Sequence, residues 1–161
     1  MAPLPSKAAL KDELVRLLTA QLDVAERAQR AAREGATHEE AKPENDKDTR
    51  GLEQSYLARG QALRVEELRA ELGLVQGLPV KDLGDDAPVA LGAVVTVEDD
   101  AATSVYFLAP AGGGAKLAGG RVQVVTPKSP LGQALLGKRE GDSCDVRLAG
   151  RVRELTVTRV A

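Results

Sequence analysis

The chain has 161 residues, with 22 Lys and Arg against 24 Asp and Glu and a formal charge of -2, so any basic contact must be local rather than a property of the whole surface. One cysteine, Cys144, and one histidine, His38, exclude an intramolecular disulfide, a cysteine or histidine metal cluster and a serine-histidine triad within one chain. Tyr56, Tyr106 and Phe107 are the only aromatic residues, too few for a ligand pocket or a base-stacking platform, and no apolar run has signal or membrane length, which predicts a soluble cytoplasmic protein with no membrane partner.

From Ala8 to about Glu34, Leu10, Leu14, Leu17, Gln21, Val24 and Ala28 or Ala31 recur at three-four spacing, the stripe of a long helix facing one partner. From about Glu44 to Leu74, Leu52, Tyr56, Leu63, Leu68 and Leu72, with Ala62 and Val65, supply a second stripe, less regular because of Gly60 and Arg59. Gly35-Ala36-Thr37 and Pro43 between them are breakers, so the pair predicts an antiparallel helical hairpin of coiled-coil type over residues 1–76, an arm of roughly 40 Å. A hairpin that satisfies both seams internally predicts a monomer.

The expected tip, about residues 36–48, holds Glu39, Glu40, Glu44, Asp46 and Asp48, five carboxylates in ten residues. Acids in the first turn of the second helix stabilise its dipole by about 0.3 to 1 kcal/mol, and a solvated loop carries charge freely. Carboxylates on a rigid arm can also be carried into another protein's cavity, as hard oxygen donors for Mg²⁺. Behind the tip, Arg27, Arg30 and Arg33 follow three-residue spacing, as exposed partners for Glu26 and Glu34.

Residues 77–90, with Pro79, Gly84 and Pro88, read as a linker to a domain over residues 91–161. There Leu91–Glu98, Thr103–Ala109, Arg121–Thr126, Ser143–Leu148 and Arg151–Arg159 read as strands, joined at Asp99-Asp100, Gly112-Gly113-Gly114, Gly119-Gly120 and Gly150. The expectation is an antiparallel sheet with one short helix, Leu131–Leu136, and an α+β fold for the chain. Cys144, alternating with Val146 and Leu148, is expected to be a buried structural thiol.

The segment Ser129-Pro130-Leu131-Gly132-Gln133-Ala134-Leu135-Leu136-Gly137-Lys138-Arg139-Glu140-Gly141-Asp142 packs a turn, an amphipathic helix and a second turn into fourteen residues. It resembles the S-P-[LIV]-x-x-A-L-[LI]-G-K-x-x-G-D element of the bacterial Gre transcript-cleavage factors. In that family a helical hairpin with an acidic tip precedes a sheet domain with a fold similar to the FK506-binding proteins. The resemblance implies that Ser129, Pro130, Leu131, Gly137, Lys138, Gly141 and Asp142 belong to a surface that docks on RNA polymerase.

It also implies that the hairpin enters the polymerase's secondary channel and that Glu44, with Glu40, Asp46 and Asp48, shares Mg²⁺ with the polymerase to cleave backtracked RNA. The family tip, D-L-x-E-N-A-E-Y, corresponds here to Ala41-Lys42-Pro43-Glu44-Asn45-Asp46-Lys47-Asp48. Glu44 and Asn45 match; Ala41 replaces the family's Asp, Lys47 its second Glu and Asp48 its Tyr. The resemblance further implies that Arg27, Arg30 and Arg33 hold the extruded RNA end and that the protein is an accessory factor with no catalytic residues of its own. The rearranged acids equally suit a channel-binding inhibitor, and the sheet domain leaves open a prolyl isomerase or chaperone.

Overall fold

The computed structural model describes residues 3–40 and 48–161, without the side chains of residues 36–40, 48–51 and 54. The chain forms two compact units, Met1–Val15 with Leu74–Ala161, and Arg16–Gly73. Packing thus groups the first turns of the first helix, and the segment read as a linker, with the sheet.

Helix α1 runs over Lys7–Glu40 and helix α2 over Asp48–Gln76. At the start of α1 the Ser6 hydroxyl accepts the Ala9 N–H at 3.1 Å, an N-cap that follows Pro5. Gly35 does not end the helix; a single glycine costs about 1 kcal/mol, which the surrounding Ala, Arg and Glu offset.

In the Arg16–Gly73 unit, Ala25, Val65 and Leu68 form a buried cluster with Leu22 against it. The two helices run antiparallel by reach alone. From that level α1 continues fifteen residues to Glu40 and α2 has already run seventeen from Asp48, about 22 and 26 Å. A parallel pair would set those ends about 50 Å apart, whereas the seven intervening residues span at most about 29 Å.

The buried seam differs from the expected one. Leu18, Ala25 and Ala32 are buried, while Leu17 and Val24 are 37% and 65% exposed, so the stripe is turned by one residue. Adjacent apolar pairs such as Leu17-Leu18 let either phase read as a seam, and the buried phase is the one that carries Ala25, which packs with Val65 and Leu68. On α2, Leu52, Tyr56 and Leu63 are likewise exposed and Val65 and Leu68 are inside, so the expected second stripe merges two faces.

The other unit holds a six-stranded sheet: β1 (Val94–Glu98), β2 (Thr103–Leu108), β3 (Lys116–Leu117), β4 (Val122–Val125), β5 (Ser143–Leu148) and β6 (Arg151–Val160), in the order β3-β4-β2-β1-β6-β5. The expected antiparallel sheet is mixed, because β2 and β4 pair in parallel, Val105 with Val122 through Leu108 with Val125. The chain after β2 crosses through the short β3 and a 3-10 turn at Ala118–Gly120, neither of which has an apolar run long enough to show in the sequence. The fold is α+β.

Both faces of the sheet are covered. On one, Val95, Val97, Leu108, Val125, Val146, Leu155 and Val157 pack with Leu131 and Leu135 of helix α3 (Pro130–Leu135). On the other lie Phe107, Val122 and Val124, fully or nearly fully buried, with the first turns of α1. There the Glu13 carboxylate accepts the Ala118 N–H at 3.1 Å, and Gly112, in the left-handed region at φ +81°, lies close enough to α1 that an added Cβ would stand 2.8 Å from the Leu14 Cδ1. The segment after α2 is held as well: Lys11 donates to the Leu78 carbonyl at 2.8 Å, and Val89 N–H to the Lys138 carbonyl at 2.8 Å.

Candidate functional site

Of the acidic set, Glu44, Asn45 and Asp46, with Ala41, lie outside the described residues. Glu40 ends α1 and Asp48 opens α2; their side chains are also outside the description. Helix geometry still bears on the charges. The dipole favours Asp48 at the start of α2, whereas Glu39 and Glu40 stand at the C-terminal end of α1, where carboxylates meet the negative pole. Helix stability therefore does not account for all of them. Every candidate donor is a carboxylate, which is the chemistry Mg²⁺ takes; among the described residues no group of three His, Cys, Asp or Glu is placed to hold a metal.

Arg27, Arg30 and Arg33 are all exposed on α1. Glu26 instead reaches across the hairpin, its Oε1 3.4 Å from Nη2 of Arg69 on α2. With those side chains 31% and 61% exposed, the pair contributes at most about 1 kcal/mol.

In the other unit the fourteen-residue element is built largely by its own polar groups. The Ser129 hydroxyl accepts the Gly132 N–H at 3.0 Å and donates to the Thr126 carbonyl at 2.9 Å, capping α3 with Pro130 at its first turn. Gly132 was not singled out by sequence, yet a Cβ there would stand 1.9 Å from the Thr126 carbonyl oxygen. Such a backbone clash leaves no sequence signal beyond the glycine itself.

Beyond α3, Gly137 adopts φ +81° and donates to the Val89 carbonyl at 2.9 Å. Asp142 Oδ2 accepts the Arg139 N–H at 2.9 Å, Gly141 N–H donates to Val157 at 2.7 Å, and Glu140 accepts the Val160 N–H at 3.1 Å. The Arg139 guanidinium donates to the Asp86 carbonyl oxygen, with Asp86 in the left-handed region at φ +60°. Of the expected docking residues, Leu131 is buried in the core, and Ser129 and Asp142 spend their side chains on local caps. Pro130, Gly137 and Gly141 are exposed and Lys138 half-exposed.

Cys144 is half-buried rather than buried, packing against the α3-side core. Burial pushes its thiol up; Lys138 opposes this and Asp145 adds to it. Phe107 is fully buried, so it cannot line an open pocket, and Tyr106 is half-buried against the core. Among the described residues no helix is long and apolar enough to cross a membrane.

Residues 85–161 match the family model "Transcription elongation factor, GreA/GreB, C-term". The chain is 30% identical to transcription elongation factor GreA of Acinetobacter baumannii over 142 residues, 87% of this chain and 83% of that protein. It is 30% identical to GreA of Ralstonia nicotianae over 153 residues, 94% of this chain and 90% of that one. A shorter match, 34% over 98 residues, spans 60% of this chain and 60% of the GreA of Methylococcus capsulatus. Among solved structures, the GreA factor homolog 1 (Gfh1) of Thermus thermophilus is similar at 18% identity and a TM-score of 0.40, over 91% of this chain and 94% of that one. The chain belongs to the GreA/GreB family of transcription elongation factors.

Proposed function

We propose that this protein is a transcript-cleavage factor: its sheet unit binds RNA polymerase, and its hairpin carries Glu44, with Glu40, Asp46 and Asp48, through the secondary channel to backtracked RNA. The observation that supports this most is the coincidence of length and charge. Helices of 34 and 29 residues meet at a connection whose surroundings hold five carboxylates, two of them at a helix end where the dipole opposes them.

The protein is an accessory factor, and the bond-breaking centre is the polymerase's own. The carboxylates fit Mg²⁺ by donor type; when bound between factor and polymerase, the ion supplies water activation and stabilisation of the leaving oxygen in phosphodiester hydrolysis. Glu44 and its neighbours bring negative oxygen to that place, Asn45 belongs to the same tip, and the exposed Arg27, Arg30 and Arg33 meet RNA phosphates without reading sequence. The exposed rim of the Ser129–Asp142 element, Pro130 and Gly137 to Gly141, is the docking surface, and the protein works in the cytoplasm, one copy per polymerase.

A second reading is supported by Ala41, which removes one of the family's two metal-directed carboxylates: a channel-binding inhibitor that does not promote cleavage. A prolyl isomerase or chaperone on a sheet like that of the FK506-binding proteins has less support, because Phe107 is inside the core. The test is to add the protein with Mg²⁺ to halted, backtracked elongation complexes and follow the RNA 3′ end. Shortening supports cleavage; no shortening, with competition against a GreA protein, supports the inhibitor; neither effect rejects the polymerase reading.

A further inference from the structure

Helix α2 is apolar on two faces, and the hairpin uses one. Val65 and Leu68 face α1, whereas Leu52, Tyr56 and Leu63 are 55%, 59% and 58% exposed. At 100° per residue, Val65 and Leu68 stand about 140 to 160° round the helix from Leu63. The exposed face reads Tyr56, Arg59, Leu63, Glu67 and Ala70, spaced three, four, four and three, the same from either end.

A helix with such a face is complementary to its own reversed copy. With a two-fold axis at Leu63, Leu63 meets Leu63, Tyr56 meets Ala70, and Arg59 meets Glu67 twice. The parallel arrangement in the same register opposes Arg59 to Arg59 and Glu67 to Glu67, so charge selects the antiparallel one. We propose that this face is a self-association surface whose occupant is a second copy of this chain.

Local contacts suit that arrangement. The Arg59 guanidinium carbon stands 5.7 Å from the Tyr56 ring centroid, which holds the charge over the apolar face. Among the described residues Glu67 pairs with Arg64 at 3.6 Å, with the two side chains 52% and 48% exposed, a bridge weak enough to regroup. The expected monomer assumed that both seams close within the hairpin, and this face does not. Few large residues take part, so the interface falls below standard size and a dissociation constant of about 10 to 100 µM is expected. The inference is independent of the polymerase reading.

Sedimentation equilibrium of the full chain from about 1 to 500 µM tests it, a range that brackets the expected constant. The average mass is expected to rise toward two chains, Arg59→Glu to weaken association about tenfold through two opposed pairs, and Arg59→Glu with Glu67→Arg to restore it. Leu63→Cys in a Cys144→Ser background is expected to give a covalent dimer on oxidation, because the two-fold sets that position against itself. A one-chain mass throughout overturns the proposal, as does association insensitive to Arg59→Glu. If Leu63→Glu loses polymerase binding while the unaltered chain stays at one-chain mass, the face belongs to the polymerase and the proposal fails. Circular dichroism of each variant shows that the helices remain.

Discussion

The sheet unit and the helical arm dispose of apolar side chains in opposite ways. The sheet buries both faces, with Val95, Leu108, Leu135 and Val157 under α3 and Phe107, Leu117 and Val122 on the other side, all fully buried. The arm encloses a thin seam around Ala25, Val65 and Leu68 and leaves Val24, Leu52, Tyr56 and Leu63 exposed. A unit that closes its own core is shaped by internal packing on both faces, whereas a long hairpin packs along one narrow seam and leaves the rest of its surface open to other molecules. Substitutions should therefore cost stability in the sheet unit and along the arm's narrow buried seam, and change behaviour on the arm's exposed faces.

The sharpest break of that contrast would come at Gly132. Gly132→Ala forces a Cβ against the Thr126 carbonyl and is expected to cost about 3 kcal/mol, read as a lower urea midpoint; an unchanged midpoint would mean that the α3 turn yields easily. Next, Leu18→Ala and Leu17→Ala compare adjacent residues of α1. The first, nearly fully buried, is expected to cost about 2 to 4 kcal/mol and the second under about 1, measured by the same denaturation; equal losses would contradict the seam found.

Ser129→Ala removes the α3 cap and is expected to cost about 1 kcal/mol, with the Thr126 carbonyl losing its hydroxyl donor as well. The smallest effect concerns Cys144. Because burial raises its thiol pKa, less thiolate is present near neutral pH, and alkylation followed by mass spectrometry at pH 7.5 should run a few-fold slower than for a free thiol, rising as pH increases. Reaction at the free-thiol rate would show that the half-buried site opens readily.

What could be read beforehand follows from how local each cause is. The strands were legible where alternation runs long enough, as at Ser143–Leu148, found as expected, and helix α3 was legible from Pro130 and its leucines. The parallel β2–β4 pairing and two-residue β3 depend on distant partners and left no period. The phase of the α1 seam was ambiguous because Leu17 and Leu18 are neighbours, and it is fixed by burial in three dimensions, with Ala25 packed on Val65 and Leu68 of α2. Glu13 could not be foreseen as the partner of Ala118, 105 residues away. For the candidate site, residue types carried the reading of the acidic tip, while the local caps of Ser129 and Asp142 became visible only in three dimensions.

The most direct measurement is of cleavage and polymerase binding together, for the protein and its Glu44→Ala variant on backtracked complexes with Mg²⁺. The expected result is RNA shortening that falls at least about tenfold in the variant while binding stays within about twofold, placing chemistry at the tip and attachment elsewhere. Cleavage unchanged by Glu44→Ala would contradict the role assigned to the acidic tip.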